Sequence, residues 1–156
     1  IKPYQIRKNM VPTNTYFSDD GDDENDVFSQ ITAINSSNND MIVNLFYKIN
    51  KLDETIINNG LKYTIVSSDS IDGEYSEVIT DDFAYAVGRN EIEILNIDVG
   101  ANTTKYYRVY LWLDSSVGDQ SAIQNLSIDL ELNGMLEQYA NEPIFREGQR
   151  QLLTHM

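Results

Sequence analysis

The sequence has 156 residues, a length that typically forms one domain around a single hydrophobic core. Its 25 acidic and 11 basic residues give a formal net charge of −14, and such a surface repels nucleic-acid phosphates and anionic lipid head groups. The chain has no cysteine, and its one histidine, His155, is the penultimate residue, where a catalytic base is not expected. We therefore predict a globular protein that is not an enzyme, needs no cofactor, and binds neither nucleic acid nor membranes.

The chain begins at Ile1, with no initiator methionine and no basic and apolar leader sequence. Such a start is expected of a chain from which a secretory signal peptide has been removed, and a proteolytic fragment is the alternative. No apolar run approaches the roughly 20 residues that span a bilayer. We therefore expect a secreted protein, extracellular or at the cell surface, with no membrane insertion of the mature chain.

The first residues form a basic arm. They include Arg7 and Lys8 and contain no acid up to residue 10. The apolar residues Tyr4 and Ile6 alternate with polar residues, as in a strand that pairs with a sheet. We predict that residues 1–12 donate a strand to a neighbouring subunit, with Tyr4 and Ile6 in apolar pockets and Arg7 and Lys8 facing acids.

An acidic run follows the arm at residues 19–26, and clustered carboxylates are ligands that calcium prefers. The glycine and glutamate spacing of an EF-hand loop is absent, so a solvated acidic loop is the alternative interpretation. The candidate calcium ligands are Asp19, Asp20, Asp22, Asp23 and Asp26.

Period-two alternation dominates the middle of the chain, and short polar turns interrupt it. The one helical segment is residues 54–59, with Asp53 as its N-cap and Gly60 just after its end. The predicted strands are residues 27–34, 41–49, 61–65, 75–79, 83–87, 91–94, 105–113 and 125–132. About eight strands with one short helix predict an all-β, antiparallel β-sandwich of jelly-roll or immunoglobulin-like type.

Parity along these strands predicts the residues of the core. The sandwich domain is predicted at residues 13–134, followed by a polar C-terminal tail at 135–156. The predicted core residues are Val43, Leu45, Tyr47, Tyr63, Ile65, Ile92, Ile94, Val109, Leu111, Leu126, Ile128 and Leu130.

The strand at residues 105–113 contains the largest aromatic cluster. Tyr106, Arg108, Tyr110 and Trp112 alternate and so lie on one face. Exposed rings on a strand can stack on sugars or on a partner protein, whereas burial of the rings within the sandwich is the alternative.

Residues 96–114 read Asn-Ile-Asp-Val-Gly-Ala-Asn-Thr-Thr-Lys-Tyr-Tyr-Arg-Val-Tyr-Leu-Trp-Leu-Asp. This segment resembles the end of small secreted bacterial β-sandwich domains, in which a turn rich in Gly, Asn and Thr leads to a Tyr- and Trp-containing strand. The wider group is similar to camelysin and the TasA-type biofilm-fibre proteins. The resemblance implies a jelly-roll subunit that polymerises by giving its N-terminal strand to a neighbour.

Two functions follow from these observations. The first is a structural subunit of an extracellular filament, pilus or tube, a homopolymer assembled head to tail by strand exchange. The alternative is a monomeric secreted β-sandwich module that binds a carbohydrate or another surface ligand through Tyr106, Arg108, Tyr110 and Trp112.

Overall fold

The structure is a computed structural model that describes residues 4–9, 12–13, 28–117, 127–138, 151–152 and 154–155. For the short segments outside residues 28–138, the description consists of backbone pairing. The proposed calcium ligands at 19–26 lie outside the described residues, as does Leu126 of the predicted core.

The described residues are mostly strands. One short helix, α1 (Glu54–Asn58), and two single 3-10 turns at Ala84–Ala86 and Ser115–Val117 interrupt them. The strands are β1 (Tyr4–Asn9), β2 (Pro12–Thr13), β3 (Phe28–Asn35), β4 (Met41–Lys51), β5 (Leu61–Ser68), β6 (Ser76–Asp82), β7 (Glu91–Val99), β8 (Thr103–Asp114), β9 (Ser127–Gln138), β10 (Gln151–Leu152) and β11 (Thr154–His155).

These strands form two sheets that enclose the core. Sheet A has the order β1-β9-β4-β7, and β10 also pairs with β9. Sheet B has the order β11-β3-β8-β5-β6, and β2 also pairs with β8. Every pair is antiparallel except β2 with β8, which is parallel. The predicted all-β antiparallel sandwich is confirmed.

The strand pairing identifies the type of sandwich. The two-residue strands β2, β10 and β11 can be set aside. The remaining eight strands form four antiparallel pairs, which are β1 with β9, β3 with β8, β4 with β7, and β5 with β6. Pairing of β4 with β9 and of β5 with β8 joins these pairs into two four-stranded sheets. This nested order is that of a jelly roll, and β1 is its first strand.

The predicted core is confirmed at every position that the structure describes. The residues named from parity are all buried, with exposed fractions of 8% or less, apart from the undescribed Leu126. Residues from both sheets contribute to one hydrophobic cluster. At these positions, alternation along the strands therefore identified inward-facing side chains correctly.

Two local predictions were wrong or incomplete. Residues 83–87 form a turn instead of a strand, because the Asp82 carboxylate accepts the Ala84 N–H at 2.9 Å and the Phe83 carbonyl accepts the Ala86 N–H at 2.8 Å. In β7, Ile94 and Leu95 are both buried, because the register against β4 shifts there by a bulge. The bulge reverses the parity of the rest of β7.

Helix α1 begins where the sequence predicts and ends one residue earlier than predicted, at Asn58. The Asp53 side chain accepts the Thr55 N–H at 2.7 Å, and Gly60 has a φ of 106°, which favours glycine. The helix buries Ile56 and Ile57. It therefore covers part of the core where β4 passes over to β5.

Candidate functional site

The predicted donor arm lies along the edge of sheet A. In the structure, β1 pairs with β9 of its own chain. Tyr4, Ile6 and Lys8 have as register partners Leu132, Leu130 and Ile128. These three partners are buried, at 0–1% exposed, so β1 adjoins a strand whose inner face belongs to the core.

The intervening positions of β1 adjoin acids. Arg7 is the register partner of Asp129, and Gln5 is the partner of Glu131. Both acids are half-buried on the outer face of β9, where the Asn50 amide donates to them at 3.4 and 3.3 Å. Directly opposed residues of an antiparallel pair share a face. The backbone register therefore gives Arg7 an acidic neighbour, whereas the register partner of Lys8 is apolar.

The outer face of sheet A carries acids from two strands and two lysines of β4, Lys48 and Lys51. The acids are Asp129, Glu131 and Glu137 of β9, and Glu91, Glu93 and Asp98 of β7. Some of them surround a shallow depression of about 220 Å³, with Phe46 and Met135 in its lining. This acidic face lies beside the edge that β1 occupies, so its charge favours a basic segment at that edge.

Two short strands of the C-terminal tail pair at the side of the sandwich where β1 lies. Strand β10 pairs with Met135 and Leu136 of β9, next to the positions that β1 occupies, and β11 pairs with the outer edge of β3. Strand β9 itself continues to Gln138, so the predicted boundary at residue 134 falls within a strand.

The opposite side of the sandwich ends in β6 and β7, each of which pairs with one strand among the described residues. Exposed acids lie along both edges, including Glu77 and Asp81 of β6 and Glu91 and Glu93 of β7. Like charges and a bulge both hinder pairing of an edge with a second copy of itself. In the part of the chain that the structure describes, the β9 edge is therefore better suited to strand exchange.

The predicted aromatic face lies on the outside of sheet B. Tyr106, Arg108 and Trp112 are half-buried, and Tyr110 is buried beneath the Phe28 ring, with 5.2 Å between the ring centroids. These side chains therefore point away from the core between the sheets.

The polar groups of Trp112 and its neighbours are largely paired. The Trp112 indole N–H donates to the Thr64 hydroxyl at 3.1 Å, and the Lys62 ammonium lies 5.7 Å from the centre of its ring. These two contacts leave less of the Trp112 ring accessible to a ligand.

An ion pair between Lys62 and Asp114 lies at the end of this face, where β8 ends. The Lys62 ammonium donates to the Asp114 carboxylate at 2.7 Å, and the Ser116 hydroxyl and N–H donate to the other carboxylate oxygen at 2.6 and 2.9 Å. The hydrogen bond from Lys62, followed by those from Ser116, lowers the pKa of Asp114 to about 2.

We expect Asp114→Asn to destabilise the protein at pH 7 by about 1–2 kcal/mol, because the substitution removes the charge that Lys62 stabilises. A carboxyl whose pKa falls on folding contributes stability above its unfolded pKa, and this contribution is lost as the pH falls towards the folded value. The difference between the two proteins should therefore disappear between pH 4 and pH 2, as measured by urea unfolding.

The matched control is Asp69→Asn. Asp69 pairs with Lys105 at 2.6 Å, but its side chain is 84% exposed against 11% for Asp114. Solvent screens such a pair, so we expect little change. Equal losses for the two variants would contradict the assignment of a stabilising role to Asp114.

Groups of three or more potential metal ligands are absent from the described residues. Residues 19–26 lie outside those residues, so calcium binding there stays a prediction. The described residues also include no helix that is long and apolar enough to cross a membrane.

Comparisons of the chain with protein-family models, with curated proteins and with solved structures found no match. The resemblance of residues 96–114 to camelysin and TasA-type proteins therefore stays a prediction.

Proposed function

We propose that this protein is a structural subunit of an extracellular filament, pilus or tube, in which β1 of one copy pairs with β9 of the next. The observation that carries the proposal is the position of β1. It is an edge strand that pairs with β9 alone among the described strands, and alternate residues of β9 beside it belong to the core. An identical strand from a second copy makes the same backbone bonds, so exchange conserves the contacts.

Charge supports the same pairing. The arm carries basic residues and no acid up to residue 10, and its register places Arg7 opposite Asp129. Copies with a net charge of −14 repel one another, so an acid-free segment is the part of the chain best able to approach a second copy. The arm therefore combines strand pairing with charge complementarity.

The connection between β1 and β3 decides the symmetry of the assembly. Strands β8 and β9 each have 12 residues and are therefore roughly 40 Å long. Residues 10–27 lead from the end of β1 to the start of β3, and such a segment reaches at most about 60 Å. This length is sufficient for β1 to reach the equivalent edge of a copy stacked in the same orientation, which produces an open, head-to-tail polymer.

Strand β2 restricts that reach. Pro12 and Thr13 pair with Leu113 and Asp114 of β8 at the end of the sandwich where β1 finishes. If β2 stays in place, only residues 10–11 link β1 to the body, and exchange leads to a closed pair related by twofold symmetry. Head-to-tail growth therefore requires release of β2 together with β1.

A disulfide can report which copy supplies β1. The chain has no native cysteine, and directly opposed residues of an antiparallel pair have Cα atoms about 4.5–5.5 Å apart, within disulfide range. We expect Arg7→Cys combined with Asp129→Cys, once oxidised under assembly conditions, to give a ladder of covalent multimers on a denaturing, non-reducing gel. A strand that stays in its own chain would give monomers.

The control mixes two singly substituted proteins, one with Arg7→Cys and the other with Asp129→Cys. A disulfide between positions 7 and 129 can then form only between copies, and peptide mapping identifies it. Covalent monomers from the double variant, together with no crosslink in the mixture, would overturn the proposal.

A further inference from the structure

The strongest feature outside the strand edge is the environment of Arg108, near the middle of the outer face of sheet B. The guanidinium carbon lies 4.1 Å from the centre of the Tyr75 ring and 5.0 Å from that of the Phe28 ring. The Nε–H donates to the Gln30 side-chain oxygen at 2.9 Å. Three residues from β3 and from the segment before β6 therefore hold one cation.

The partners of Arg108 are themselves fixed. The Gln30 amide donates to the Tyr75 hydroxyl at 3.1 Å and to the Tyr107 carbonyl at 3.3 Å. The Tyr75 hydroxyl in turn donates to the Ile71 carbonyl at 2.9 Å. Because these groups are positioned in advance, the guanidinium loses little conformational freedom when it binds a ligand.

The geometry leaves the terminal nitrogens of Arg108 for recognition. Its Nε is used by Gln30, and neither ion pair of the described residues, Lys62 with Asp114 or Lys105 with Asp69, includes Arg108. The two Nη groups of a guanidinium form a planar fork that matches the two oxygens of a carboxylate. An end-on approach of a carboxylate is therefore compatible with every contact that Arg108 already makes.

We propose that Arg108 binds the carboxylate of an oligosaccharide that is neutral apart from one sugar-acid residue. The Phe28 ring is 41% exposed beside the fork, and Tyr106 is half-exposed on the same face of β8. Such rings provide apolar surfaces for a sugar ring. The net charge of −14 repels polyanions, so a ligand with a single carboxylate is favoured.

The test is an NMR titration with a trisaccharide that contains one uronic acid, compared with its neutral counterpart in which the carboxyl group is reduced to an alcohol. We expect saturable binding of the acidic sugar, and binding at least about tenfold weaker for the neutral sugar and for the Arg108→Gln variant. Lys105→Gln, which removes a half-buried cation of the same strand that pairs with Asp69, should leave the affinity unchanged.

The Arg108→Lys variant keeps the charge and lacks the planar fork, so a loss of similar size is expected in a protein whose melting temperature shows that it is folded. Equal affinity of Arg108→Lys and the native protein for the acidic sugar would overturn the proposal. The proposal would also fail if the native protein did not bind the acidic sugar, or if it bound an acidic peptide instead. The titration probes the outer face of sheet B alone, so its outcome is independent of strand exchange.

Discussion

Removal of residues 1–10 is expected to leave a folded sandwich that no longer assembles. Strands β3 to β9 retain all of their mutual pairing, whereas the β9 edge loses the strand that adjoins Ile128, Leu130 and Leu132. Partial exposure of three buried side chains should cost on the order of 1 kcal/mol each. Urea unfolding measures this loss, and sedimentation with electron microscopy measures assembly.

A synthetic peptide with the sequence of residues 1–13 should restore the stability of the truncated protein by pairing with β9, whereas a peptide with the same composition in scrambled order should not. Added salt should slow assembly of the intact chain, because it screens the attraction between the arm and the acids of β9. Fibres formed by the truncated chain would show that another segment or the body mediates assembly.

Much of the fold could be predicted because side-chain parity is a local property. Val43, Leu45 and Tyr47 alternate along β4 with side chains that are less buried, and one buried face follows directly from that pattern. The pairing of strands was not predictable, because β1 meets β9 across most of the length of the chain. The bulge at Ile94 and Leu95 depends on the register against β4, which the sequence of β7 alone does not contain.

The aromatic face shows the same division between local and distant information. The sequence placed Tyr106, Arg108, Tyr110 and Trp112 on one face, and this follows from alternation. The parity that assigned Val109 and Leu111 to the core implies that this face is the outer one, but large side chains on both faces of β8 left burial of the rings as an alternative. The groups that hold Arg108 also escaped the sequence analysis, since Gln30 and Tyr75 come from β3 and from the segment before β6.

Ile128→Ala is expected to lower the free energy of unfolding by about 2–5 kcal/mol, the usual cost of truncating a buried isoleucine. Ile128 is 1% exposed and belongs to the hydrophobic core cluster, so truncation leaves a cavity between the sheets. The matched control is Ile97→Ala on the edge strand β7. Ile97 is 37% exposed, and we expect a loss below about 1 kcal/mol because a smaller area returns to water.

The effect of Ile128→Ala should also depend on the arm. Because Lys8 of β1 is the register partner of Ile128, removal of residues 1–10 already uncovers part of this position. The substitution should therefore cost less in the truncated chain than in the intact chain, whereas Ile97→Ala, at the opposite edge of sheet A, should cost the same in both. Urea unfolding of the intact and truncated chains, each with and without the substitution, gives this coupling directly. Strict additivity for Ile128 would mean that β1 does not cover β9 in solution, from its own chain or from a second copy, and strand exchange at this edge would then be excluded.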